Sequence, residues 1–246
     1  MTPFSLRRAA TWLLASLLTA TSAAATADEP GRAVGADINT YYQNADPDRW
    51  RSVFESPGRE VFDRRFQVVA ALDLKPGMDV ADIGAGTGLY TLLFARAVRP
   101  DGKVYAVDIS PGFIDGIMAR AADVGVDNVV PVVNRQRSTE LPPESIDLAF
   151  MADTYHHFEF PQAMLASIHQ ALRPGGVLAI IDFRRIQGVS NGWVMSHVRA
   201  GREQVVAEIE HAGFQLMDEP VALRTNYFLR FRKVDRRVQP GDRDDP

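Results

Sequence analysis

The stretch VADIGAGTG, at residues 80–88, places three glycines at alternate positions directly after an apolar run that contains Asp82. Gly84, Gly86 and Gly88 have no side chains, so the chain can turn tightly and a ligand can approach the backbone closely. The helix expected to follow adds free N–H donors and a partial positive charge at its beginning. This pattern predicts a turn that binds a small ligand through its backbone.

A second acid lies where a ribose would need it. Asp108 ends another apolar run, 20 residues after Gly88. An acid at the end of the second strand of such a sheet can accept hydrogen bonds from both hydroxyls of a ribose. The glycine turn and Asp108 together predict a nucleoside-containing ligand.

Two classes of ligand compete for this geometry. Dinucleotide-binding folds show Gly-x-Gly-x-x-Gly, whereas this chain has Gly-x-Gly-x-Gly with Asp82 two residues before it. The anion of Asp82 would repel a pyrophosphate, but it suits a ligand that carries an ammonium and a sulfonium. The pattern therefore favours S-adenosylmethionine over a nicotinamide dinucleotide, and a transferase over an oxidoreductase.

The segments around these residues alternate between helix-like and strand-like patterns from Val61 onward, which predicts an α/β fold with a mostly parallel sheet and helices on both faces. Apolar strands are predicted over residues 80–83, 104–107, 129–133, 146–151 and 177–183. A last helix around residues 205–212 precedes two more strand candidates, at 214–219 and 226–232, so the chain is predicted to end in a hairpin.

The composition fits one globular domain with a filled core, since the chain has 246 residues, of which 46% are hydrophobic. The net charge of −4 argues against a nucleic acid partner, because phosphate binding draws on clustered Lys and Arg. The chain has no cysteine, which excludes disulfides and thiolate chemistry. No two histidines or acids show the spacing that places metal ligands on one face with a third nearby, so no metal site is predicted.

Residues 1–27 have the pattern of a cleaved export signal. Arg7 and Arg8 precede an uncharged, leucine-rich stretch over residues 9–20, and Ala25-Thr26-Ala27 supplies small residues for cleavage. A membrane anchor is the alternative, but the stretch is shorter than the roughly 20 apolar residues that span a bilayer. We therefore expect an exported, periplasmic protein with no stable membrane span.

The rest of the chain divides into three predicted segments. Residues 28–58 combine aromatic side chains with many polar ones, which indicates a partly helical collar or lid. Residues 59–233 form the main domain. Residues 234–246 have few apolar groups and predict a disordered tail.

The chain from about Val61 to Lys233 resembles the class I S-adenosylmethionine-dependent methyltransferases. VADIGAGTGLYT matches the glycine motif of that family, and GKVYAVDIS matches its acidic strand end. LPPESIDLAFMADTYHHF resembles the segment around its fourth strand, and LRPGGVLAIIDF resembles its fifth. The resemblance implies a Rossmann-like, doubly wound sheet of seven mostly parallel strands with the last strand antiparallel. It also implies S-adenosylmethionine as the cofactor.

The resemblance assigns expected roles to the residues that would bind this cofactor. Asp82 and the turn from Gly84 to Gly88, which includes Thr87, would face the methionine part, while Asp108 would hold the ribose. Family members usually carry Gly-Asp after the third strand, where the acid binds the adenine amino group, but this chain has NRQRSTELPP there.

Three polar residues of that segment are candidates to replace the missing acid. Asn134, Gln136 or Glu140 would have to substitute for it, or stacking and backbone contacts alone hold the adenine.

Candidate catalytic residues lie at the carboxyl end of the fourth strand, since ligands collect at that edge of an open parallel sheet. Asp153 could hold the ammonium of the cofactor or orient an acceptor, and His156 could take a proton near neutral pH. Because adjacent histidines point in different directions on any regular element, we expect one of His156 and His157 to face the site and the other to pack. The alternative is that both merely satisfy loop backbone groups.

Three further residues have candidate roles near the site. Asp182 ends the fifth strand, where it either lines the acceptor pocket or lies in solvent. Arg59 could reach the cofactor carboxylate through a bidentate pair, with surface placement as the alternative. His197 lies between the fifth strand and the last helix, where the resemblance implies a wall of the substrate pocket.

These residues predict methyl transfer to a small-molecule acceptor by in-line displacement, in which the protein mainly aligns nucleophile and methyl. No nucleic acid substrate is expected, because the chain lacks both the Asn-Pro-Pro-Tyr-like motif and the cysteine that nucleic acid members of the family use. An exported protein would, however, leave the cytosol, where S-adenosylmethionine is made. The alternative hypothesis is therefore an exported, non-catalytic binding protein that reuses the methyltransferase fold.

Overall fold

The computed structural model describes residues 29–234 of the chain. The predicted export signal over residues 1–27 lies outside the described residues, as does the predicted tail apart from Val234. Between residues 29 and 234, none of the helices combines the length and the apolar character that crossing a membrane requires.

Seven strands form one sheet: β1 (Val80–Ile83), β2 (Val104–Asp108), β3 (Val129–Val133), β4 (Ile146–Ala152), β5 (Leu172–Phe183), β6 (Phe214–Asp218) and β7 (Asn226–Lys233). Their order across the sheet is β3-β2-β1-β4-β5-β7-β6. Neighbours from β3 to β5 pair in parallel, whereas β7 is antiparallel to both β5 and β6. The predicted Rossmann-like, doubly wound sheet with an antiparallel last strand is confirmed.

Eight α-helices lie among the described residues: α1 (Pro47–Phe54), α2 (Glu60–Asp63), α3 (Arg65–Ala71), α4 (Leu89–Ala97), α5 (Pro111–Asp123), α6 (Pro161–Ala171), α7 (Gly192–His197) and α8 (Arg202–His211). Two short 3-10 turns span Ala36–Asn39 and Tyr155–His157. Apolar side chains of α6 and α8 pack in one core, and those of α3, α4 and α5 pack in another. Because side chains alternate along a strand, the same strands supply both cores and the sheet is covered on both faces.

The beginning of β5 differs from the prediction. The strand was predicted to begin at residue 177, because Pro174, Gly175 and Gly176 are residues that commonly interrupt regular structure, but β5 begins at Leu172. Leu172 pairs with Ile146 at the beginning of β4, and the register then shifts before Leu148 pairs with Val177. The Pro-Gly-Gly residues therefore lie inside β5, at an irregularity of the pairing with β4. Leu172 and Ile146 are both fully buried, so their pairing is part of the core.

The strand order reverses between β1 and β4, and this point determines where a ligand can bind. Connections from the two strands leave in opposite directions, so a crevice opens at their carboxyl ends. The glycine turn follows β1, Asp108 ends β2, and the Tyr155–His157 turn follows β4. The fold thus brings the predicted site residues to one edge of the sheet.

Candidate active site

A cavity of about 600 Å³ lies at this edge of the sheet. Its walls come from the glycine turn, the end of β2, the segment after β4, and aromatic side chains of α1 and α7. All the predicted cofactor-binding residues except Gly88 line it, as do both predicted catalytic residues: Asp82, Gly84, Gly86, Thr87, Asp108, Asp153 and His156. Gly88 instead directly precedes α4 as its N-cap.

The glycine turn needs residues without side chains at two positions for different reasons. Gly84 has a φ of +69°, and a Cβ there would lie 2.3 Å from the Thr154 side chain. Gly88 has a φ of +80°, and a Cβ there would lie 2.8 Å from Ile117. The left-handed backbone and the close neighbours both exclude larger residues. The turn therefore presents bare backbone to the cavity.

Asp108 is held rigidly at the end of β2. Asp108 is only 5% exposed. Its carboxylate accepts hydrogen bonds from the backbone N–H groups of Gly86 and Ser110, both at 2.8 Å. Burial raises the pKa of Asp108 to about 6, although these hydrogen bonds act in the opposite direction. The carboxylate is thus oriented before any ligand binds.

Asp82 is the second buried acid at this end of the cavity. Thr91 donates a hydrogen bond of 2.6 Å to its Oδ2 atom, and burial raises the pKa of Asp82 to about 7. Water does not stabilise the charged form of a buried carboxylate. A cation beside it supplies that stabilisation instead, so the carboxylate attracts a cation strongly. This arrangement fits the ammonium end of S-adenosylmethionine.

Two of the three candidates for the adenine contact line the cavity. Asn134 and Gln136 do so, beside the apolar side chains of Ile109 and Phe113. Glu140 is not among the lining residues, and its carboxylate lies 4.0 Å from Arg135. Asn134 and Gln136 therefore stay the predicted candidates for this contact, beside the alternative of stacking and backbone contacts alone.

Residues of the predicted collar contact the glycine turn directly. Thr87 donates a hydrogen bond of 2.9 Å from its hydroxyl to Glu55, and Arg120 forms a 2.6 Å ion pair with the same carboxylate. A Cβ on Gly86 would lie 3.4 Å from the Phe54 ring. The end of α1 is thus tied to the turn, and sequence reasoning missed the role of Glu55 because nothing in its local pattern pointed to Arg120.

An aromatic group on this side forms part of the cavity wall. Tyr42, Trp50 and Phe54 form a cluster in which the Trp50 ring lies 4.8 Å from Tyr42 and 5.0 Å from Phe54, with Tyr42 and Phe54 6.3 Å apart between ring centroids. The Asp46 carboxylate caps α1 by accepting hydrogen bonds from two backbone N–H groups, and Pro47 occupies its first turn. These features explain why a helix begins there and presents its rings to the cavity.

Asp153 is fixed by two partners that the sequence did not reveal together. Its Oδ2 atom accepts a hydrogen bond from Arg59 and its Oδ1 atom accepts one from Asn226, each at 2.7 Å. The backbone of Asp153 is left-handed, with a φ of +51°. Burial raises the pKa of Asp153 to about 6, and the Arg59 charge opposes that shift. Arg59 thus pairs with a protein carboxylate, and Asn226 at the beginning of β7 was missed because it gave no local signal.

His156 forms a buried dyad with Asp182. Its Nδ1 atom lies 2.8 Å from Asp182 Oδ1, and its backbone N–H donates to Asp182 Oδ2 at 3.1 Å. Asp182 is 1% exposed, so the alternative that placed it in solvent is wrong. It lies behind the histidine that lines the cavity, where the end of β5 meets the segment after β4.

Both adjacent histidines line the cavity, so the expectation that one of them packs away from it is wrong. The short 3-10 turn is flanked on both sides by cavity-lining residues, from Asp153 to Phe158, and the rings of His156 and His157 lie 4.3 Å apart. The His197 ring from α7 lies 5.2 Å from His156 and 5.1 Å from His157. Burial lowers the pKa of His157 to about 2 and also lowers that of His197.

The sheet, the bare glycine turn and the two buried acids define a Rossmann-like protein with a cleft suited to an adenosyl ligand. A family model described as "Methyltransferase domain" matches residues 80–176. A ubiquinone/menaquinone biosynthesis C-methyltransferase, UbiE, from Cupriavidus metallidurans is 27% identical over 118 residues, which are 48% of each chain. The match thus spans about half the length of such curated relatives.

Solved structures show the same relationship. An S-adenosylmethionine-dependent methyltransferase from Aquifex aeolicus is similar with a TM-score of 0.68 and 26% identity, covering 78% of this chain and all of that one. A protein from Bordetella parapertussis described as a possible exported protein shares the fold, with a TM-score of 0.60, 18% identity and coverage of 79% and 81%. The family model and these relatives support a class I S-adenosylmethionine-dependent methyltransferase, and this likeness implies S-adenosylmethionine as the cofactor.

Proposed function

We propose that the protein transfers a methyl group to a small-molecule acceptor. The observation that carries the proposal is Asp108, a buried and pre-oriented carboxylate that faces the same cavity as the glycine turn and the His156–Asp182 dyad. S-adenosylmethionine supplies, when bound, a methyl group already activated by its sulfonium. The protein then has to hold cofactor and acceptor in line and to exclude water.

The cofactor end of the cavity has a suitable group for each part of this ligand. Asp108 would accept hydrogen bonds from the ribose hydroxyls, and Asn134 or Gln136 would contact the adenine. The buried carboxylate of Asp82 would attract the ammonium. Asp153 stays at its place between Arg59 and Asn226, from which it would orient the acceptor.

At the other end, His156 is positioned to remove a proton. Asp182 accepts a hydrogen bond from Nδ1–H of His156 at 2.8 Å, which leaves Nε2 as the basic nitrogen. An acceptor that must lose its proton would give it to Nε2, and such a base contributes roughly 10²- to 10⁴-fold to a rate. His156 is therefore the proposed general base, with Asp182 as its positioning residue.

The size and lining of the cavity support a small acceptor. A volume of about 600 Å³ lies within the range of small-molecule sites. Tyr42, Phe183 and Trp193 contribute aromatic walls, which suit a flat and largely apolar molecule.

We also propose that the protein is exported. The support is the residue pattern over residues 1–27, together with a shared fold in the Bordetella parapertussis protein described as a possible exported protein. Export favours the second candidate function, a binding protein without methyl transfer, because the cofactor is made in the cytosol. Fractionation of cells and sequencing of the mature N-terminus test the export proposal separately.

Calorimetric titration with S-adenosylmethionine, S-adenosylhomocysteine and NAD distinguishes the candidate functions. We expect micromolar binding of the first two ligands and none of NAD. In Asp108→Ala this binding should weaken by about 100-fold or more, since hydrogen bonds to a charged group contribute about 1.5–3 kcal/mol each. Asp127→Ala is the matched control, because its 81% exposed side chain lies outside the cavity.

The possible outcomes separate the proposals. Binding that survives in Asp108→Ala would contradict the assigned ribose contact. Binding of NAD alone would favour an oxidoreductase. No binding of any of the three ligands would favour the binding protein that reuses the fold.

A further inference from the structure

The three histidines at the acceptor end form a cluster that neither spacing along the chain nor the proposed methyl transfer explains. His156 and His157 are adjacent, while His197 lies on α7 and is brought to them only by the fold. One nitrogen from each ring lies within 4.8 Å of the other two. Three of the five histidines in the chain thus meet at one point.

Two ring nitrogens of this cluster have no hydrogen-bond partner among the described residues, although both atoms are buried. They are Nδ1 of His157 and Nε2 of His197. A buried polar atom left unsatisfied destabilises the folded state, so such atoms in a native protein call for an explanation. A bound group that accepts electron pairs from both nitrogens would remove this cost.

The third nitrogen is made available by a carboxylate. Because Nδ1 of His156 is hydrogen-bonded to Asp182, Nε2 is the nitrogen that can bind another group. A carboxylate behind a histidine is the usual arrangement around a metal-bound imidazole, since it fixes the ring and raises the basicity of the other nitrogen. His197 is in turn stacked on Trp193, with ring centroids 4.6 Å apart.

We propose that His156, His157 and His197 bind a divalent first-row transition metal ion, with zinc as the simplest case. Three imidazoles and no thiolate suit zinc, iron, nickel or copper rather than magnesium or calcium. The nitrogens of a tetrahedral zinc site lie about 3.4 Å apart, given bonds of about 2.0–2.1 Å. The nitrogens lie within 4.8 Å of one another, so a separation has to shorten by up to about 1.4 Å, and rotation of the His157 and His197 rings about their side-chain bonds is the movement that would bring them together.

Three protein ligands leave a fourth position for water or substrate, as in catalytic zinc sites. His156 and His157 line the cavity, so a small molecule there can reach this position with an oxygen atom. The inference replaces the expectation of no metal site. Because Nε2 of His156 cannot bind a metal ion and take a proton at once, a bound metal would replace its role as general base. The metal alone can be used to measure the site, whether or not methyl transfer occurs.

The test uses the full chain prepared without a histidine tag and freed of metal by a chelator. Titration with Zn²⁺ by calorimetry should show one site with submicromolar affinity, and Co²⁺ should give the visible absorption of a four- or five-coordinate site with nitrogen and oxygen ligands. The absence of saturable binding at one equivalent would overturn the proposal.

Substitutions locate the site. His157→Gln and His197→Gln should each weaken Zn²⁺ binding by more than the roughly 10- to 100-fold expected for Asp182→Asn, which removes only the outer partner. His211→Gln is the matched control, since His211 is an exposed histidine outside the cluster, and it should leave binding unchanged. Equal affinity in the wild type and in both ligand variants would overturn the proposal.

A measurement on the unsubstituted chain covers the case in which a variant fails to fold. X-ray absorption of the zinc-loaded protein should report three imidazole ligands, and two or fewer would contradict the site. A zinc site found here alongside failure to bind S-adenosylmethionine would leave this inference intact and remove only the proposed function.

Discussion

Burial shifts the pKa values of the ionisable groups in opposite directions at the two ends of the cavity. At the cofactor end, burial raises the pKa of Asp82 to about 7 and that of Asp108 to about 6. At the acceptor end, burial lowers the pKa of His157 to about 2 and also lowers that of His197. Desolvation penalises the charged form of either kind of group, so the acids keep their protons to a higher pH than usual and the imidazoles lose theirs at a lower pH.

This difference separates what each end can bind. Buried carboxylates gain most from a cationic ligand, which stabilises their ionised form. Buried neutral imidazoles offer lone pairs, which suit a proton donor or a metal ion. The cavity is therefore electrostatically divided between the proposed cofactor end and the proposed acceptor end, and the four predictions below test the cofactor end.

The largest effect is expected at the glycine turn. Gly84→Ala should abolish S-adenosylhomocysteine binding, because the new Cβ would lie 2.3 Å from Thr154 and displace the turn. Gly125→Ala is the matched control, since Gly125 has a φ of +67° but no atom within 4 Å of the new Cβ.

Denaturant unfolding and calorimetry give the readout for this pair. The control should lose about 1–2 kcal/mol from the left-handed backbone alone, and Gly84→Ala should lose about 1–3 kcal/mol more from overpacking. Equal destabilisation of the two variants, with binding intact in both, would show that the turn tolerates a side chain.

An intermediate effect is expected from pH. Since the folded pKa of Asp82 is raised to about 7, a cationic ligand must displace its proton below that pH. Affinity for S-adenosylmethionine should therefore rise about tenfold between pH 6 and pH 8 by proton linkage. Calorimetry across this range should show the rise in the wild type and a flatter profile in Asp82→Asn.

The free energy of unfolding should fall as the pH rises, in contrast to the affinity for S-adenosylmethionine. A raised pKa means that the folded state binds more protons than the unfolded one between about pH 4 and pH 7. The unfolding free energy of the wild type, relative to that of Asp82→Asn, should therefore fall as the pH rises through this window. The lowered pKa values of His157 and His197 contribute the opposite trend below about pH 6.5, but both histidines are present in the wild type and in Asp82→Asn, so their contribution cancels in this difference. A difference that is flat or rises with pH would mean that Asp82 is ionised throughout.

The smallest effect is expected where α1 contacts the turn. Glu55→Gln removes the charge that pairs with Arg120 at 2.6 Å, and a partly buried ion pair of this kind contributes about 1 kcal/mol. Affinity for S-adenosylhomocysteine should fall about threefold to tenfold. Asp127→Asn should change it by less than twofold, because the Arg99–Asp127 pair is exposed. If the two variants behave alike, α1 does not support the cofactor end.

Most of the fold could be predicted because its signals are local. Each strand up to β4 is a short apolar run, and the period of the apolar residues identifies the helices between them. The beginning of β5 could not be predicted, since pairing of Leu172 with Ile146 outweighed the Pro-Gly-Gly signal. Partners in the sheet decide such boundaries, and they are far apart in sequence.

The two ends of the cavity also differ in how far their residues could be predicted from the sequence. The cofactor end could be predicted because this fold needs a turn of bare backbone and an acid at the end of the next strand, both at fixed places. The spacing of Gly84 and Asp108 along the chain therefore indicates them. The sequence by itself determined that these residues follow strands of a mostly parallel sheet, whereas the structure supplied the order of those strands. Only the tertiary structure decided that Asp153 is held by Arg59 and Asn226.

The acceptor end depended on the fold for the same reason. Asp182 supports His156 and His197 joins the cluster only because the carboxyl ends of β4 and β5 and the beginning of α7 meet at one edge of the sheet. Hydrogen bonds and metal ligation act over a few ångströms in space, whereas spacing along a chain reports only neighbours within one turn or strand.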